Sequence, residues 1–63
     1  MDALTKGRQA AQAADSAARM GNRPAAQAAL RKAEAAFREA KSSRERRMLQ
    51  QCVNDAREAV NHR

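Results

Sequence analysis

Five cations crowd one short stretch, Arg38, Lys41, Arg44, Arg46 and Arg47, with only Glu39 and Glu45 between them. That density suits phosphate. Each neutralised phosphate releases condensed counterions, and the planar guanidinium fork grips two oxygens at once. Upstream, Arg23, Gln27 and Arg31 recur every four residues, a spacing that stacks them on one side of a helix. Charged and amide groups placed so can reach into a groove, and all eight residues are candidate nucleic-acid contacts. The plainer chemistry of the same cations is a solvated surface of local helix pairs, such as Arg38 with Glu34.

Other reactive side chains are few. Cys52 and His62 are the only Cys and His, which excludes an internal disulfide and a four-ligand zinc site and fits a reducing, cytosolic setting. Cys52 falls between Leu49 and Val53, where a thiol acts as a small apolar filler; a reactive thiol there needs Arg57 or a neighbouring subunit to lower its pKa. Asp55 and Glu58 share a helix face at a spacing able to hold a cation or share a proton, yet Arg57 and His62 nearby favour surface charge pairs. The only two Gly, Gly7 and Gly21, stand too far apart for a phosphate-cradling loop, and no Ser has a His in a local catalytic motif. The expectation is a non-enzymatic protein with no catalytic residue, metal, cofactor or small-molecule substrate.

Composition points the same way. In 63 residues, 13 Lys and Arg oppose 7 Asp and Glu, for a net charge of +6, and such a balance favours polyanionic partners. Of the apolar residues 17 are Ala, leaving three Leu, three Met, two Val, one Phe and one Cys to fill a core. So short and so alanine-rich a chain makes one domain, residues 1–63, with a thin core and a tendency to associate. With neither Trp nor Tyr, the aromatic platforms that stack single-stranded bases are missing. No run approaches the roughly 18 apolar residues of a membrane span, and the first turns lack a signal peptide's apolar stretch.

These side chains must be carried on helices. Ala, Arg, Glu, Gln and Lys dominate, and nothing alternates with the period of a strand. The first helix is expected over residues 3–20, capped by Asp2, with a smooth seam of Ala3, Gly7, Ala10, Ala14, Ala17 and Gly21 and with Leu4, Ala11 and Ala18 flanking it. Gly21-Asn22-Arg23-Pro24 stops it, since Gly suits the left-handed residue after a helix and Pro the start of the next. The second helix is expected over residues 24–41 on the line Ala26, Leu30, Ala33, Phe37 and Ala40. Continued further, that line would bury Arg44, Arg47 and Gln51. The later apolar set, Leu49, Cys52, Val53, Ala56 and Val60, is rotated away from it. Ser42-Ser43-Arg44-Glu45 sits at the shift and fits a capping box, so a third helix is expected over residues 43–61.

Two resemblances meet at the Gly-Asn turn. Gly21-Asn22 followed by Ala26, Leu30 and Ala33 looks like the turn and second helix of a tetratricopeptide repeat, although no Pro closes the unit and the chain cannot hold two repeats of about 34 residues. It implies a close-packed helical hairpin. Ala17, Met20, Gly21 and Leu30 resemble the anchors of a helix-turn-helix, and that resemblance implies that Arg23, Gln27, Arg31 and Lys32 face a nucleic-acid groove. The departures are Gln27, where that family places an apolar residue, and Pro24 at the start of the recognition helix.

The sequence thus predicts an all-α protein: a small antiparallel three-helix bundle, or a long bent hairpin if the last two helices run together, that self-associates. Leu4, Met20, Leu30, Phe37, Leu49, Val53 and Val60 are its expected core and interaction residues. The favoured function is a cytoplasmic protein-interaction or self-assembly module whose alanine-lined grooves accept another helix, its own or a partner's. The alternative is a small nucleic-acid-binding accessory protein working through the basic residues.

Overall fold

A computed structural model describes residues 2–61 and consists of three helices, α1 (Ala3–Arg19), α2 (Arg23–Glu39) and α3 (Ser43–Asn61), with no strand among the described residues. Their ends fall within two residues of the expected ones, and the caps explain why. Asp2 stands in an extended conformation before α1 and accepts a hydrogen bond from the Thr5 amide at 2.8 Å, which holds its carboxyl below the usual carboxylate range. At the other end of α1 the Asn22 amide donates to the Ala17 carbonyl at 2.9 Å and the Gly21 amide to the Ala18 carbonyl at 3.1 Å. These two bonds form a Schellman cap, and Gly21 takes the left-handed conformation it needs, with φ at 77°. Asn22 then caps α2 by accepting from the Ala25 amide at 3.3 Å, while Pro24 sits in the first turn, where no amide donor is required.

The second turn separates α2 from α3. Ala40 leaves the helix in an extended conformation, and the Ser42 hydroxyl accepts from the Glu45 amide at 3.1 Å. Only that half of the expected capping box is made among the described residues. Arg46 supplies another tie, its Nε donating to the Ala40 carbonyl at 3.2 Å, a cation on the negative end of α2. The chain reverses here, and the long bent hairpin is not formed.

The helices run up, down and up. At one end Lys6 of α1 meets Glu39 of α2 at 3.8 Å, so these two are antiparallel. Leu49 of α3 packs on Gly7, and Val60 lies with Ala18 and Ala26 at the other end, so α3 runs parallel to α1. Gly7 permits this junction. A Cβ there would collide with Leu49 Cδ2 and press on Ala36 Cβ at 3.3 Å. Among the described residues Leu49 is the one large side chain fully buried; the rest of the core is Ala11, Ala14, Ala26, Ala33, Ala36, Ala40, Val53, Ala56 and Val60.

Three expectations about the core need correction. Met20 is 82% exposed, because it is the capping residue of α1 and projects past the bundle's end. Leu4, Leu30 and Phe37 are half-buried, and Leu30 and Phe37 pack against the buried core from its edge, as core residues of lower burial than expected. The buried line of α1 is Gly7, Ala11 and Ala14, rotated from the expected seam toward α3. The reason is size: Leu49 and Val53 offer more area to cover than any α2 residue opposite Ala10 and Ala17, and α1 turns toward them.

Candidate interaction surfaces

Three packed helices leave three grooves, and their linings differ. The α1–α2 groove, about 670 Å³, is lined by seven alanines, of which Ala13, Ala25, Ala28 and Ala35 are exposed, with Lys6, Gln9, Lys32 and Glu39 on its rim. Methyl groups are too short to fill the space above the two backbones, so the groove is broad and smooth. Its rim carries two lysines and one carboxylate.

The α1–α3 groove, about 420 Å³, mixes Arg8, Gln12, Asp15, Arg19 and Asp55 around the half-buried Cys52. Its two carboxylates both have partners. Asp15 pairs with Arg19 at 3.2 Å, and the Gln51 amide donates to Asp55 at 3.1 Å. The thiol packs against the apolar core, as a filler does.

Between α2 and α3 the surface is basic. Phe37 forms part of a depression of about 440 Å³ whose other walls are Ser43, Arg46, Arg47, Gln50, Gln51 and Asn54. At about 100° per residue, Arg23, Gln27, Arg31, Glu34 and Arg38 form the adjoining edge of α2. Arg57 joins them from α3 and reaches Glu34 at 2.6 Å. Six arginines therefore share this side with two carboxylates: Glu34, which is already paired, and Glu58, which falls about 20° from Arg47 around α3. Gln50 and Asn54 between them are linked by a 2.9 Å hydrogen bond.

The eight cation and amide candidates divide accordingly. Arg23, Gln27, Arg31, Arg38, Arg46 and Arg47 come together on the α2–α3 side. Lys41 does not; it sits at the end of the bundle in a hollow with Asp2, Lys6, Glu39 and Glu45. Arg44 stands on the outer side of α3, at the margin of the basic face. The expected Arg38 to Glu34 pair is replaced by Arg57 to Glu34. Arg57 was missed as a member of this face, although the spacing of Arg46, Gln50, Asn54 and Arg57 along one stripe of α3 marks it.

The helix-turn-helix reading fails on geometry. Helices of that motif cross at about 90–120°, whereas α1 and α2 lie antiparallel from Lys6 and Glu39 to the Gly21 turn. Lys32 moreover faces the alanine groove, away from Arg23, Gln27 and Arg31. His62 lies outside the described residues. No helix among the described residues is long and apolar enough to cross a membrane. Comparison with known proteins finds no matching family, curated protein or solved structure. The surfaces themselves carry the functional argument.

Proposed function

We propose that this chain is a non-enzymatic interaction module that associates with a second copy of itself through the α1–α2 face. The observation behind this reading is the alanine-lined groove of about 670 Å³ with charges of both signs on its rim. Small side chains let helix backbones approach closely, and a second copy brings the same smooth surface, which is what an isologous interface requires. The rim is complementary to itself. Lys6 and Glu39 stand at the same height on neighbouring helices, so a copy turned about an axis parallel to the helices sets each Lys6 opposite a Glu39. Docking would also cover apolar area in a molecule with a single large side chain fully buried. The one thiol and the absence of a core-stapling disulfide suit a cytoplasmic setting.

The test is the mass in solution of the double variant Ala28→Gln and Ala35→Gln. Both positions are exposed, and Gln is a good helix former without charge, so the bundle itself is unaffected. The wild type should be a dimer, and the variant a monomer of unchanged helicity. A wild type monomeric at every concentration overturns the proposal, and so does a dimer that survives both substitutions.

A further inference from the structure

The arginine face between α2 and α3 takes no part in that docking, and nothing in the fold accounts for most of it. Arg23, Arg31 and Arg38 from α2 and Arg46, Arg47 and Arg57 from α3 are all exposed. Two of the six have partners inside the molecule: Arg57 with Glu34, and Arg46 through its Nε with the Ala40 carbonyl. Four guanidinium groups and the outer nitrogens of Arg46 are left to solvent, with no ion pair among the described residues. The other two sides of the bundle are close to neutral by comparison.

We infer that this face binds the phosphate backbone of double-stranded nucleic acid without reading its sequence. The dimensions fit. From Arg23 to Arg38 the α2 row runs fifteen residues, about 22 Å at the rise of an α-helix, and the α3 row lies about 8–10 Å away. A duplex presents one charge per about 1.7 Å of axis over both strands, so a track of this length spans a stretch dense in phosphate charge. The side-chain type fits as well. All six cations are arginine, whose fork matches phosphate oxygens in pairs, and Gln27, Gln50 and Asn54 add amide donors between the rows.

Duplex is favoured over other polyanions by what surrounds the arginines. Phe37, half-buried in the depression, is the chain's one aromatic ring, and a single recessed ring cannot stack the successive unpaired bases of a single strand. Among the described residues the exposed large apolar side chains, Met20 and Met48, lie at the α1–α2 turn and on the α1 side of α3, so this face has only the recessed Phe37 to set against a lipid surface.

The experiment titrates the full chain into labelled random-sequence duplex DNA, with single-stranded DNA of equal length and anionic vesicles as parallel probes, at two salt concentrations. Two double variants accompany it: Arg31→Glu with Arg38→Glu on the face, and Arg8→Glu with Arg19→Glu on the α1–α3 side, away from both the face and the alanine groove. Both change the net charge equally, and all four positions are exposed. The wild type should bind duplex better than single strand and lose affinity steeply with salt. The face variant should bind at least tenfold more weakly, with a salt slope shallower by about 2, while the control stays close to the wild type. Should the face pair reduce helicity, Arg31→Gln with Arg38→Gln replaces it and should rank the same way. Equal losses in both variants would show that net charge acts without the face. No duplex binding at low salt, or tighter binding to single strand or vesicles than to duplex, would likewise overturn the inference.

Discussion

The two long edges of α2 come from one seventeen-residue helix and share almost no chemistry. Toward α1 it presents Ala25, Ala28, Ala29, Ala35 and Ala36, interrupted by Lys32 and Glu39. Toward α3 it presents Arg23, Gln27, Arg31, Glu34 and Arg38. One edge keeps side chains short so that another backbone can come close; the other carries long cations that reach past the helix. A period of 3.6 residues keeps these demands apart, because residues four apart stay on one edge while those two apart fall on opposite sides. The core line of Ala26, Ala33 and Ala36 lies between them and fixes which edge meets which neighbour.

Both edges depend on Leu49, where all three helices meet over Gly7. Leu49→Ala removes the one large, fully buried side chain, and about 2–5 kcal/mol is the usual cost at such a site. In a chain of 63 residues that should abolish the cooperative thermal transition seen by circular dichroism, and both edges should lose their functions together. A melt unchanged within a few degrees would show that the bundle is held elsewhere.

Gly7→Ala is a milder blow aimed at the α1 side alone. The added methyl gains about 1 kcal/mol of helix propensity but collides with Cδ2 of the fully buried Leu49, which must shift, and overpacking costs about 1–3 kcal/mol. The net expectation is a loss of about 1 kcal/mol, a lower melting temperature, and weaker self-association with duplex affinity retained. A higher melting temperature would mean that Leu49 repacks freely. Asn22→Ala, in the turn that sets α2 against α1, should cost about 1 kcal/mol through its cap, again read from the melt.

The smallest effect concerns acid. The Thr5 amide stabilises the charged Asp2 carboxylate, so its folded pKa lies below the ordinary value of 3.8. A depressed carboxylate pKa contributes stability above that ordinary value, and the contribution fades as pH falls through it toward the lowered one. Melting temperatures followed from about pH 5 to about pH 2 should fall more for the wild type than for Asp2→Asn, which keeps an acceptor at the cap. Parallel curves would remove Asp2 from the acid response.

Much of the fold was legible because its boundaries rest on local chemistry. Gly21, Asn22 and Pro24 specify a stop and a start within four residues, and Ser42 marks the phase change between Phe37 and Leu49. Val53 and Val60 were legible as core because no other line on α3 is apolar. The α1 seam was not legible, since adjacent alanine lines have nearly equal hydrophobicity and the choice was made by Leu49 on another helix. Met20 misled for another reason: it is large and apolar, but it is the capping residue of α1 and lies off the seam, where nothing covers it.

The division of cations was equally hidden. A helical repeat shows that Arg23, Arg31 and Arg38 share an edge, but not whether α1 or α3 lies beside it, because the order of helices around a bundle depends on packing of all three. That order brings Arg46, Arg47 and Arg57 to the same side and sends Lys32 to the other.

The most direct test is sedimentation velocity of the wild type and two double variants, each alone and with labelled duplex DNA. The two jobs should separate by edge. Ala28→Gln with Ala35→Gln should sediment as the 6.9 kDa monomer yet still shift the duplex, whereas Arg31→Glu with Arg38→Glu should remain dimeric and leave the duplex where it was. Variants that each lose both properties, or neither, would contradict a molecule divided along α2.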